Sequence, residues 1–115
     1  EEALYLQVRN QIIHGIATLQ LQEGDELPSV RQMADEIGIN MHTVNKAYTV
    51  LKQEGFIQLD RRKGAVISLD MDKLRELQSM REQMKGILAK GICKGICKDE
   101  VYELVNEIYQ EYGGE

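Results

Sequence analysis

Residues Leu27 to Lys52 constrain this chain most, because two helices with separate start and stop signals fit inside them. Pro28 discourages a helical conformation in the residue before it. Ser29 is an N-cap residue, and Gln32 stands three positions on to complete a capping box. Val30, Met33, Ala34 and Ile37 then recur at helical spacing on one face. Gly38 is the residue type that ends helices. Asn40 can cap a second helix, whose buried stripe is Val44, Ala47 and Leu51, with Gly55 as its stop. Met41, His42, Thr43, Asn45, Lys46 and Lys52 are left outward, with no acid among them. Side chains of these types reach base edges and phosphates, so the pair reads as a helix-turn-helix with a nucleic-acid face. Tyr48 stands between two roles, packed in the core or touching phosphate through its hydroxyl.

The net charge of −5 argues at first against such a partner. Its distribution matters more, because salt screens exposed charges beyond about 10 Å. Between His42 and Lys63 lie Lys46, Lys52, Arg61, Arg62 and Lys63, against only Glu54 and Asp60. Acids gather instead at Glu23 to Glu26 and along the C-terminal part. An acidic back with a basic tip weakens non-specific attraction to phosphate and leaves more to site-specific contacts.

Upstream, Tyr5, Val8, Ile12, Ile16 and Leu19 repeat at three- and four-residue steps, with Ile13 widening the stripe, so residues 4–18 are expected as a first helix. Gly24-Asp25 marks a turn in the loop that follows. Downstream, Phe56-Ile57-Gln58-Leu59 alternates as a strand does, Asp60 to Gly64 is a polar turn with three consecutive cations, and Ala65-Val66-Ile67 is a second strand. A lone hairpin is marginal in water, so this one should pack on the three helices as a wing.

From residue 70 the pattern is helical only. Asp70 or Asp72 caps a fourth helix running to about residue 90, with Leu74, Leu77, Met80, Met84, Ile87 and Leu88 as its apolar face. Cys97 occupies an N-cap position, Glu100 completes a capping box, and Ile96 with Val101 is placed as a hydrophobic staple. A fifth helix carries Val101, Leu104, Val105, Ile108 and Tyr109 up to a Gly113-Gly114 stop. Two helices bury too little surface to stand alone. Their stripes are expected to meet a second copy of the tail, making Leu74, Leu77, Met80, Met84, Ile87, Leu88, Val101, Leu104, Val105 and Ile108 a dimer interface. The competing reading folds both helices back on the first helix of a monomer.

The fold class is therefore mainly α with a small β-hairpin: a winged helix-turn-helix over residues 1–69, followed by a two-helix dimerisation tail over 70–115. An apolar content of 43% with 29% charged residues fits a globular chain. No apolar run reaches the ~20 residues of a membrane span. The Glu1-Glu2 start lacks a basic-then-apolar leader, and two cysteines without a disulfide framework suit a reducing compartment, so a cytoplasmic location is expected. Cys93 and Cys97 lie in a tandem Gly-Ile-Cys-Lys repeat and would share a face if helical, which permits metal or redox chemistry. Further ligands are missing, since His14 and His42 are distant in sequence, so no metal or cofactor is expected. No nucleophile or acid is placed to work with His42, and no phosphate loop exists, so an enzyme is not expected.

Several of these strings carry a family resemblance. Tyr5-Leu6-Gln7-Val8, the run from Gly24 through Leu27-Pro28-Ser29-Val30-Arg31 to Ala34, Thr43-Val44 with Ala47-Tyr48, and Glu54-Gly55-Phe56-Ile57 resemble the winged-helix domain of GntR-type bacterial transcription regulators, over about residues 3–68. The short tail is similar to that of the YtrA-like branch, in which such a tail dimerises the protein. The resemblance implies a homodimer on a palindromic duplex, acting as a repressor. It places Arg31, then Asn40, Met41, His42, Thr43, Asn45 and Lys46, and the wing tip Lys63 and Gly64, at DNA. With Ser29, Arg61 and Arg62, these are the candidate contacts. Arg31 has the fork geometry for guanine or phosphate, Asn45 suits adenine, and Gly64 permits close approach of the wing backbone. The chain departs from the family's usual arginine at Met41 and from its usual glycine at Arg62. A small-molecule effector acting through the tail, and a winged-helix module that binds protein instead of DNA, remain open alternatives.

Overall fold

The structure, a computed structural model, describes residues 3–113. The Glu1-Glu2 start and Gly114 of the expected glycine stop lie outside the described residues. The chain divides into two units, one ending at Asp70 and the other beginning at Met71.

The first unit contains α1 (Leu4–Ala17), α2 (Val30–Ile37), α3 (Met41–Gln53), β1 (Ile57–Asp60) and β2 (Gly64–Ile67). Its helix ends are set by local chemistry. Ser29 Oγ accepts the Gln32 N–H at 3.1 Å, and Gln32 Oε1 accepts the Ser29 N–H at 3.0 Å. Gly38 closes α2 at φ +70°, a left-handed conformation that costs a side chain with a Cβ 1–2 kcal/mol, by about the usual measure. Asn40 Oδ1 then accepts the His42 N–H at 2.7 Å and starts α3.

Ile12 of α1, Ala34 of α2, and Val44, Ala47, Tyr48 and Leu51 of α3 are buried with Leu27, Ile57, Ala65 and Ile67. Leu51, Ile57, Ile67 and Val44 are fully enclosed, each contributing roughly 1.5–3 kcal/mol of apolar burial. α3 is thus the central element, with α1, α2 and β1 all against it.

The hairpin pairs Ile57 with Ile67, Gln58 with Val66, Leu59 with Ala65 and Asp60 with Gly64. Both strands begin one residue off the expected position: β1 starts at Ile57, whose pair with Ile67 lies in the core, and β2 starts at Gly64, whose pair with Asp60 closes the wing turn. Leu59 alternates with Ile57 yet is 63% exposed, although its cross-strand partner Ala65 is buried. The segment read as a plain loop forms the other side of β2. Gly24 N–H donates to Ile67 O, Ile67 N–H to Asp25 O and Leu27 N–H to Ala65 O, each at 2.8 Å, and Glu26 bridges Val66. β2 therefore has hydrogen-bonded neighbours on both edges, which anchors the wing base. Two apolar positions also depart from their stripes. α1 ends at Ala17, and Leu19 sits beyond it at φ +64° and 73% exposed; Ile37, in the last turn of α2, is 47% exposed.

The second unit contains α4 (Lys73–Cys93) and α5 (Lys98–Glu111). Of the two candidate caps, Asp72 is the one used, its Oδ1 accepting the Arg75 N–H at 3.1 Å. α4 runs three residues past the expected end and closes with a Schellman pair, Ile96 N–H to Gly91 O at 2.9 Å and Gly95 N–H to Ile92 O at 3.1 Å. Glu100 accepts the Cys97 N–H at 3.0 Å, which holds its carboxyl below the usual carboxylate range. Tyr112 caps α5 and Gly113 follows at φ +73°. Cys93 ends one helix and Cys97 caps the next, so they do not share a helical face; both are exposed. Among the described residues, neither α4 nor α5 buries a single side chain.

Candidate nucleic-acid interface

The buried stripe of α3 fixes what its opposite side displays. With Val44, Ala47 and Leu51 inward, Met41, His42, Asn45, Lys46 and Lys52 are exposed and Thr43 is half-buried. Ser29, Arg31 and Asn40 are exposed around the start of α2 and the turn before α3. Ser29 and Asn40 each give one oxygen lone pair to a helix cap, which leaves the Ser29 hydroxyl proton and the Asn40 NH2 group as donors for an outside partner.

Tyr48 resolves to the core. It is 4% exposed, and its hydroxyl donates to Pro28 O at 2.7 Å. That bond ties α3 to the residue preceding the cap of α2 and so fixes how the two helices sit together. Burial, reinforced by the negative charge of Glu36, pushes the phenol up to about 12. The hydroxyl therefore has no phosphate role.

Lys46, expected at DNA, also has a neighbour within the chain. Its ammonium lies 4.1 Å from the centroid of the Tyr5 ring, on the first turn of α1. Tyr5 thereby joins the candidate face, a role its place in an apolar stripe did not suggest. No local pattern marks it, because Tyr5 and Lys46 stand on different helices. Arg9 of α1 likewise reaches the far end of α3, forking onto the Glu54 carboxylate with Nη2 at 2.9 Å from Oε2. Both contacts lock α1 along α3.

The wing presents Arg61, Arg62, Lys63 and Gly64, all exposed. Asp60 shapes their turn: its Oδ1 accepts the Arg62 N–H at 2.7 Å and the Lys63 N–H at 3.1 Å. Those two backbone bonds hold the Asp60 carboxyl below the usual range. One acid thus organises the loop that carries three cations.

In the tail, the expected interface residues Leu74, Leu77, Met80, Met84, Ile87, Leu104, Val105 and Ile108 are exposed, and Leu88 and Val101 are half-buried. A groove of about 380 Å³ between α4 and α5 is lined mostly by apolar side chains, Met84, Leu88, Ile92, Val101 and Val105 among them. No cluster of metal-binding side chains occurs among the described residues, and no described helix is long and apolar enough to cross a membrane.

Residues 4–67, more than half the chain, match the family of bacterial regulatory proteins, gntR family. The chain belongs to the GntR family. It is similar to the HTH-type transcriptional repressor YtrA of Bacillus subtilis (strain 168), at 30% identity over 98% of this chain and 86% of that protein. Among solved structures, a transcriptional antiterminator from Listeria monocytogenes EGD-e superposes with a TM-score of 0.87 at 30% identity, covering 100% of this chain and 88% of that one. YtrA from Sulfolobus acidocaldarius, a GntR-family transcription factor, matches with a TM-score of 0.59 at 35% identity, over 96% and 91% of the two chains. This GntR protein is accordingly a winged helix-turn-helix, DNA-binding transcription regulator of the YtrA-like type.

Proposed function

We propose that this GntR protein is a cytoplasmic homodimeric repressor that reads a palindromic operator through α3, with the wing gripping the flanking backbone. The observation that carries this reading is the polar N-terminal half of α3, held outward by a fully enclosed opposite face. Arg31, Asn45 and Lys46 supply the base and phosphate chemistry there, and Arg61, Arg62 and Lys63 supply cations at the wing. Dimerisation through the tail is supported by two helices that fully bury no side chain by themselves yet carry an apolar stripe each. Two joined tails would set two α3 helices about one duplex turn apart, the spacing a two-fold operator demands. A ligand that repacks the tail would alter that spacing and so act as the signal. Repression follows the role named for the Bacillus relative. The outward face of α3 is polar except at Met41, which favours DNA over a protein partner.

Selection of duplexes from a random pool tests the reading. A palindromic consensus should emerge, bound roughly 10³-fold or more tighter than scrambled duplex and weakening steeply with salt. Recovery of no consensus would overturn it.

A further inference from the structure

The turn into α3 and the start of α2 enclose a shallow notch of about 660 Å³, lined by Val30, Asn40, Met41, His42 and Asn45. Its chemistry differs from the rest of the candidate face. No side chain lining it is an acid, a lysine or an arginine. Met41, the first residue of α3, is 43% exposed, and Val30, the first residue of α2, is half-buried. An unbranched thioether left open to water at the tip of a reading helix has apolar surface to cover and the flexibility to fit a small apolar group.

Base edges in the major groove offer one group of that kind. Only thymine carries a methyl there; guanine presents two acceptors suited to a cation, and cytosine a donor suited to a carboxylate. No lysine, arginine or carboxylate lines this notch. Asn45 stands one helical turn after Met41, so both lie on the same side of α3, and its amide matches the donor and acceptor of adenine. We infer that Met41, with Val30, forms a subsite for the 5-methyl group of a thymine in each operator half-site, next to a base pair read by Asn45. This rests on α3 being the DNA-reading element.

The experiment uses the full chain and the duplex selected as above. Each thymine is replaced in turn by deoxyuridine, which removes the methyl and keeps every hydrogen-bonding group. At one position per half-site the wild-type protein should bind about four-fold more weakly, the value of one buried methyl-sized group. Met41→Ala removes the contact from both half-sites at once, so it should bind the unmodified duplex about sixteen-fold more weakly and be indifferent to uridine at that position. Exposure of Met41 makes an unchanged melting curve the expectation for this variant, and the uridine scan on wild-type protein decides the matter even if the variant misfolds. Tolerance of uridine at every position overturns the inference. So does a uridine penalty that persists undiminished in Met41→Ala. Failure to select any duplex instead overturns the reading of α3 on which the subsite depends, which keeps the two failures apart.

Discussion

The Lys46 ammonium sits 4.1 Å from the centroid of the Tyr5 ring, so the first turn of α1 holds a cation of α3. A lysine on a four-carbon stem loses rotamer freedom when it binds phosphate or guanine, and a ring that already restrains it reduces that loss. A cation over an aromatic face at a partly exposed site is worth about 0.5–1 kcal/mol. Tyr5→Ala should therefore weaken operator binding by about two- to five-fold. Tyr5→Phe keeps the ring and should bind like wild type. In a Lys46→Ala background, Tyr5→Ala should add nothing further. Fluorescence anisotropy over the four variants checks this, and additive losses would mean that Tyr5 does not act through Lys46.

Tyr48→Phe removes the hydroxyl that donates to Pro28 O at 2.7 Å and nothing else. The expected loss of stability is about 1 kcal/mol, read from urea unfolding. A second signature lies in alkali. The folded phenol titrates at about 12 and an unfolded one at its ordinary 10.0, so the folded state favours the protonated form. The stabilisation from this group is complete below pH 10 and is lost as pH climbs from 10 through 12. The phenylalanine variant should lack that component of the alkaline slope. An identical slope in both proteins would place the titration elsewhere.

Gly55 follows α3 at φ +82°, and a Cβ there would stand 2.7 Å from the Cβ of Asp70. Asp70 cannot give way freely, because its N–H donates to Gly55 O at 2.8 Å and Ser68 N–H donates to Phe56 O at 3.0 Å. Gly55→Ala thus meets both a left-handed backbone and a close neighbour. The backbone term alone is about 1–2 kcal/mol, and the clash adds to it. Thermal unfolding should show a lower midpoint for the winged unit; a midpoint equal to wild type would mean that neither the left-handed backbone at residue 55 nor the approach to Asp70 constrains this turn.

What the sequence disclosed and what it concealed divides by the range of the interaction. The caps at Ser29, Asn40 and Cys97 are written within four residues, and each formed at the expected position. The enclosed stripe of α3 is likewise a property of one helix. The pairing of Asp25 to Leu27 with β2 is not, since it joins residues some 40 apart and the Gly24-Asp25 signal announces only a turn. Tyr48 was ambiguous because a tyrosine serves both a core and a wet surface, and only Pro28 O settles where its hydroxyl goes. The contact of Lys46 with Tyr5 was hidden because the two residues stand some 40 positions apart on different helices. Leu19 shows the limit of periodicity: a repeat continues past the point where the chain has turned.

Leu77 gives the sharpest test of the tail. It is 59% exposed in the single chain, and α4 buries no side chain of its own. A monomer should therefore tolerate Leu77→Asp with no change in helicity or melting, because the new carboxylate stays hydrated. A tail-to-tail dimer should not, because taking an unpaired carboxylate out of water costs several kcal/mol, of the order that separates a stable dimer from free chains. Analytical ultracentrifugation should find wild-type protein as a dimer and Leu77→Asp as a monomer. The variant should also lose affinity for a full palindrome while holding a single half-site as wild type does, since the winged unit is untouched. A variant that still sediments as a dimer would move the interface off this face of α4, and loss of half-site binding would mean that the substitution acts on the DNA-binding unit instead of on assembly.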